Sequence, residues 1–168
     1  MAETANLLTV QIDGPNLVTG SVQVVTATGI RRLGTVMLCR CGQSLDKPFC
    51  DGAHVKCGFR DPARLPAKAE ALPVGTGALT IRPIANGPNR CEGPLVIRGA
   101  DERSASANLT LLCRCGHSRS KPYCDGTHAR IGFRAYAKSN AGYVTKPEQG
   151  ELNAEESQLK KEIDSDRK

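Results

Sequence analysis

Apolar residues along the chain come in short, interrupted runs. Leu7 to Ile12, Leu17 to Val25, Val36 to Leu38, Leu79 to Ile84, Leu95 to Arg98 and Leu109 to Leu112 are rich in β-branched and aliphatic side chains, and Gly, Pro, Asn or Asp punctuate the stretches between them. Each run predicts a strand, and strands this short imply small antiparallel sheets. Helical signals are sparse. Asp51 and Asp125 stand where helix N-caps would, predicting one short helix after each. In the tail, Asn153 and Glu156 form a capping-box pair, Glu156 and Lys160 an ion pair, and Leu159 and Ile163 a thin apolar stripe, which predicts a short surface helix.

The same pattern occurs twice. Leu8-Thr9-Val10 followed by Gly14-Pro15 and Gly20 is echoed by Leu79-Thr80-Ile81 followed by Gly93-Pro94 and Gly99. Gly58-Phe59-Arg60 closes the first unit and Gly132-Phe133-Arg134 the second. Repeat one therefore spans 6–60 and repeat two 77–137. Between them, 61–76 reads as an Ala/Pro linker carrying Pro62, Pro66 and Pro73, and 138–168 as a charged tail, partly helical or disordered.

Each repeat ends in a sixteen-residue block, Cys39 to His54 and Cys113 to His128, the two lying seventy-four positions apart. Within each block the spacing is identical: Cys-x-Cys, a third cysteine nine residues on, and a histidine four beyond it. Cys39, Cys41, Cys50 and His54, and Cys113, Cys115, Cys124 and His128, are thus two sets of soft ligands for metal. In a 2Fe-2S cluster such a set gives one iron two sulfurs and the other a sulfur and an imidazole. An oxidised core with three thiolates and a neutral imidazole carries one negative charge less than an all-cysteine site, so it is easier to reduce. Imidazole is also the ligand for which protons compete near neutral pH.

Composition supports a metal-dependent fold. The chain has 168 residues, 4% aromatics, no Trp, Gly 17 and Pro 10, so neither repeat alone has much of a core. Eight cysteines would suit a disulfide scaffold in a secreted chain. The first basic residue, however, is Arg31, and no apolar run approaches membrane-spanning length. The expectation is a cytoplasmic protein of a reducing compartment, with its thiols free for metal. A net charge of +6 raises the question of nucleic acid. The basic residues cluster in and beside the metal blocks, at Arg40, Lys47, Lys56 and Arg60 and at Arg114, Lys121, Arg130 and Arg134, without interleaved aromatics. They fit a solvated face or an offset to anionic clusters better than a nucleic-acid surface.

Cys39, Cys41, Ser44, Pro48, Cys50, Asp51, Gly52, Ala53 and His54, and Cys113, Cys115, Ser118, Pro122, Cys124, Asp125, Gly126, Thr127 and His128, resemble the signature of the CDGSH iron-sulfur (NEET) family. The resemblance covers both repeats. It implies one 2Fe-2S cluster per motif, two in all, held by the three cysteines and the histidine. It further implies electron transfer, delivery of clusters or redox sensing, with a redox partner or an apo-protein acceptor. Soluble tandem members of the family fold two repeats of one chain into a pseudo-dimer. The expected fold is accordingly a small β-rich one with a minor helical part, two pseudo-symmetric repeats forming a β-cap and two cluster-binding lobes with a short helix in each. A monomer with internal pseudo-two-fold symmetry is expected, binding neither nucleic acid nor membrane. One departure is Cys57, where bacterial relatives usually have an aliphatic residue, as at Ile131.

The ligand sets also suit zinc in a structural interaction module, although zinc sites usually space their paired cysteines two to four residues apart. Around the ligands, Ser44 and Ser118 are expected to donate to cluster or cysteine sulfur, with stabilising the turn as the alternative, and Asp51 and Asp125 to cap helices. Cys57 and Cys91 read as buried or half-buried thiols and His117 as an exposed loop histidine. No phosphate-binding Gly-rich loop, nucleophile elbow or His-Glu-x-x-His helix is present, so the chain is expected not to be an enzyme.

Overall fold

The computed structural model describes residues 5–26 and 29–135. Among them, six strands carry the fold: β1 (Asn6–Val10), β2 (Asn16–Thr26), β3 (Gly29–Leu38), β4 (Leu79–Pro83), β5 (Asn89–Arg98) and β6 (Ser104–Leu112). Two single-turn helices, α1 (Ala53–Lys56) and α2 (Thr127–Arg130), complete it. The β-rich class and the tandem pattern of a three-stranded unit followed by a short helix are as the sequence predicts. The tail helix expected around 153–163 lies outside the described residues.

Within each repeat the strands run antiparallel, β1 with β2 and β2 with β3, then β4 with β5 and β5 with β6. The repeats join through two parallel pairings, β1 with β5 and β2 with β4. A purely antiparallel arrangement is thereby corrected. The order β1-β2-β4-β5 closes on β1 as a barrel-like ring, with β3 and β6 attached outside it. Closure leaves no free edge on the four ring strands.

Alternation explains the core. Leu8 and Val10 of β1, Val18, Val22 and Val24 of β2, Leu79 and Ile81 of β4, and Leu95 and Ile97 of β5 all point inward and are buried. Strand β3 begins seven residues earlier than its predicted start because in Gly29 to Thr35 only Leu33 packs on the core; Ile30, Arg31 and Arg32 are exposed there. That half exists through pairing with β2, such as Gln23 with Arg32 and Thr26 with Gly29. The first halves of β5 and β6 were hidden for another reason: they have buried inward residues, but these are Asn89, Cys91 and Ala105, which carry no strong strand signal.

Asn6, fully buried, locks the repeats together. Its amide donates to the carbonyls of Gly77 (2.9 Å) and Pro94 (2.7 Å), while its oxygen accepts from the N–H of Ser21 (2.8 Å). Residues 61–76 also belong to the body. Ala63 and Leu65 are in the core, the Ala63 carbonyl accepts from the N–H of Ala100 (2.8 Å), and the Arg103 guanidinium donates to the carbonyls of Leu65, Pro66 and Ala67.

The structure resets the alignment of the repeats. Gly14-Pro15-Asn16 corresponds to Gly87-Pro88-Asn89, not to the run starting at Gly93. Gln11 N–H bonds the Pro15 carbonyl as Ile84 N–H bonds that of Pro88, and Gly14 N–H bonds the Gln11 carbonyl as Gly87 N–H bonds that of Ile84. Gly93-Pro94 misled because it repeats a dipeptide, whereas the turn's hydrogen bonds fix the true register.

Candidate metal centres

Each block is a loop hung on the end of an outer strand. β3 ends at Leu38, which forms an isolated antiparallel bridge with Phe49; Leu112 of β6 does the same with Tyr123. The Cys39 N–H donates to the Pro48 carbonyl (2.9 Å) and the Cys50 N–H to the Met37 carbonyl (2.8 Å), so the third cysteine returns beside the first. Cys113 with Pro122 and Cys124 with Leu111 repeat this at 2.9 Å each. The peptide bonds before Pro48 and Pro122 are both cis.

The ligand atoms meet in pairs. Cys39 Sγ lies 3.8 Å from Cys41 Sγ, and Cys50 Sγ lies 3.5 Å from His54 Nδ1. In the second repeat Cys113 and Cys115 are 3.7 Å apart, and Cys124 Sγ is 3.4 Å from His128 Nδ1. Two sulfurs on one tetrahedral metal lie about 3.8 Å apart, and a sulfur and a nitrogen about 3.6 Å. Each pair therefore has the separation that sharing one metal demands. Among the described residues no three His, Cys, Asp or Glu side chains converge on a single ion position. Each repeat presents its four donors as two pairs.

Thiol electrostatics follow the pairing. The Cys41 thiol pulls Cys39 down to about 6 against opposing burial, helped by the backbone N–H groups of Ser44 and Gly42. Cys115 does the same for Cys113, also to about 6, with the N–H groups of Ser118 and Gly116. Cys41 and Cys115 are pushed up by that sharing and by burial. Burial raises Cys50 and Cys124 too. The N–H of Gly52 points at Cys50 Sγ and that of Gly126 at Cys124 Sγ, both at 3.4 Å, and such donors favour thiolate.

The two Cys-x-Cys loops stand back to back. A Cβ on Gly42 would lie 2.4 Å from the carbonyl oxygen of Cys115, and one on Gly116 would lie 2.5 Å from that of Cys41. Both glycines also have φ near +80°. Only glycine satisfies both constraints.

The family model for the iron-binding zinc finger of CDGSH type matches residues 13–55 and again 86–129. The chain belongs to that family. It binds iron through a motif present twice, once at the end of each repeat. A search of curated proteins finds no match. The matches begin at Asp13 and Asn86, in agreement with the structural alignment of the repeats.

Several residues of the CDGSH motifs differ in role from expectation. Asp51 and Asp125 are not N-caps; Gly52 (φ 87°) and Gly126 (φ 86°) hold that position. The carboxylates stand one residue earlier and each ties two segments together. Asp51 accepts from the N–H groups of Leu45 (2.8 Å) and Ala53 (3.0 Å), and Asp125 from those of Arg119 (2.9 Å) and Thr127 (3.0 Å). The Leu45 and Ala53 bonds hold Asp51 below the usual carboxylate range. Asp125 falls to about 2 although partial burial opposes it, because the Thr127 hydroxyl and these N–H groups favour its charge. Ser44 and Ser118 do not turn their hydroxyls to sulfur. They donate to the carbonyls of Phe49 and Tyr123 at 2.6 Å and accept from the N–H groups of Asp46 and Ser120, so the hydroxyl fixes the turn. His54 is half-buried, whereas His128 is buried, with burial and then Arg114 holding it below the usual imidazole value. Cys57 is exposed and Cys91 buried, while His117 is exposed as expected.

The arginine inside each Cys-x-Cys is the largest surprise. Arg40 and Arg114 are buried, not part of a solvated face. Arg40 donates to the carbonyls of Gly14 and Gln11 and lies over the Phe59 ring at 5.3 Å; Arg114 donates to those of Gly87 and Ile84 and lies 5.6 Å from the Phe133 ring. The closing Gly-Phe-Arg phrase thus supplies the aromatic lid of a buried cation. The repetition of Arg at both positions was visible in sequence, but polar composition alone argued for solvent.

Proposed function

We propose that each motif holds one redox-active 2Fe-2S cluster, through Cys39, Cys41, Cys50 and His54 in the first and Cys113, Cys115, Cys124 and His128 in the second. The observation that carries this reading is the grouping of ligands into two pairs per repeat, Cys with Cys and Cys with His, each at the separation of two donors sharing one metal. Such a cluster supplies reversible one-electron chemistry. The chain's own groups suit it. Backbone N–H groups of Ser44, Gly42, Ser118 and Gly116 stabilise thiolate at Cys39 and Cys113. Buried Arg114 carries a positive charge that acts on Cys39 of the first motif and on His128 of the second.

The physiological use in this reading is exchange with another protein, either of an electron or of a whole cluster, not enzymatic turnover. Among the described residues no helix is long and apolar enough to cross a membrane. We place the protein in a reducing cytoplasm as a monomer, its pseudo-two-fold built into one chain, with neither nucleic acid nor membrane as partner.

Anaerobic purification with iron supplied tests the reading. The expected product contains about four iron atoms and about four acid-labile sulfides per chain, with visible absorption that dithionite bleaches. Two metal atoms per chain, no sulfide and no colour would replace it with two structural zinc sites.

A further inference from the structure

A cleft of about 560 Å³ opens between residues 61–66 and the loop 116–121 of the second motif. Both walls are fixed. Ala63 and Leu65 anchor the first in the core, and the Ser118 hydroxyl and the Lys121 ammonium, which donates to the Ser118 carbonyl at 2.8 Å, brace the second. The cleft lies beside the metal centre: its lining includes none of the ligands, but the N–H of His117, one of its lining residues, points at Cys115 Sγ at 3.5 Å.

The lining is cationic. Arg64, Arg119 and Lys121 face Asp61 as the sole acid, and that carboxylate is occupied by Arg40 and by the N–H of Ala63. Neither Arg64 nor Arg119, both exposed, has an ion-pair partner among the described residues. Asp125 nearby is taken up by the N–H of Arg119 and the Thr127 hydroxyl. The first motif lacks this character. Gln43, Leu45 and Asp46 replace His117, Arg119 and Ser120, and Leu45 is 76% exposed.

From these features we infer that the cleft is the docking surface for an acidic partner protein, whose carboxylates reach the guanidinium groups of Arg64 and Arg119 and bring it to the second cluster. Guanidinium forks recognise carboxylates bidentately, and paired unlike charges steer encounter. The charged walls do not suit a buried apolar small molecule. The cleft offers neither aromatic platforms nor a helix terminus for nucleic acid. The inference rests on the reading of this chain as an exchange protein and adds that its two sites are not equivalent: exchange runs through the second.

The test uses the full metal-loaded chain and a fluorescein-labelled decaglutamate peptide, followed by anisotropy at low and moderate salt. The expected result is that Arg64→Glu with Arg119→Glu weakens binding by about tenfold or more. Arg32→Glu with Arg98→Glu, the same charge change at exposed strand positions, should leave it nearly unchanged. Equal losses in both variants would reduce the effect to overall charge and overturn the inference, as would citrate binding with the same variant sensitivity and an affinity matching the peptide's. Arg64→Gln with Arg119→Gln removes charge without inverting it and guards against misfolding. Iron and sulfide counts on the same samples separate the two claims: peptide binding lost with counts intact concerns the cleft, whereas missing sulfide concerns the clusters.

Discussion

Arg40 donates from Nη1 to the Asp61 carboxylate at 2.6 Å, while its counterpart Arg114 meets no carboxylate among the described residues, because Ala135 occupies the place of Asp61. The equivalence is set by the preceding turn, in which the Asp13 N–H bonds the Asp61 carbonyl and the Asn86 N–H that of Ala135. Arg114 Nη1 has no hydrogen-bond partner among the described residues, and burial lowers the guanidinium to about 10. Asp61→Ala should therefore cost about 3 kcal/mol, since it strands a buried cation. Ala135→Asp should stabilise the metal-free chain by about 1 kcal/mol by giving Arg114 an anion. Urea midpoints measure both, and the second substitution lowering the midpoint would refute this account of the asymmetry.

Substituting the paired glycines should harm both centres at once. Gly42→Ala drives a methyl into the Cys115 carbonyl and Gly116→Ala into that of Cys41, so each variant disturbs the motif it does not belong to. Strain at positive φ adds about 1–3 kcal/mol. Iron analysis should show loss beyond one motif's share in either variant, whereas clean loss of half the iron would mean the loops are independent.

Replacing the histidine ligands tests the cluster reading from another side. His54→Cys or His128→Cys adds one negative charge to the site concerned and should lower its potential by on the order of 100 mV. Redox titration followed in the visible range reads this, and unchanged potentials in both variants would remove histidine from the ligand set.

Asp13 predicts a pH signature away from the metal. Its carboxylate accepts from the Asp61 N–H (2.7 Å) and pairs with Arg60, which together hold it below the carboxylate value of 3.8. The charged form is the one stabilised, so the benefit is complete above the unfolded value and disappears as pH falls below it through the folded value. Asn is tolerated in this geometry, for Asn86 has the same positive φ and accepts from the Ala135 N–H. Asp13→Asn should be less stable than the parent at pH 6 and equal to it at strongly acid pH, and a gap that widens on acidification would contradict this.

The parts of the molecule that were legible in sequence share one property: their residue types have few alternative uses. Cys39 to His54 and Cys113 to His128 could be read as ligand sets because three soft donors and an imidazole at fixed spacing rarely serve anything else. The inward faces of β1, β2 and β4 were readable in part, because Val10, Val22 and Ile81 each stand between polar neighbours. The outer half of β3 was not, since Leu33 alone of it packs on the core and backbone pairing with β2 holds the rest. Nor was the burial of Arg40 and Arg114, which depends on carbonyls from Gly14 and Gln11, and from Gly87 and Ile84, distant in sequence. Serine at 44 and 118 left sulfur and the turn as alternatives, and the carbonyls of Phe49 and Tyr123 decide between them.

The parallel contacts of β1 with β5 and of β2 with β4 mean that neither repeat owns a complete ring. A chain severed within 61–76 would yield fragments whose assembly depends on dilution. Joined, the same encounter is unimolecular, so both iron centres can mature at any protein concentration, including the scarcity in which two separate halves would rarely meet.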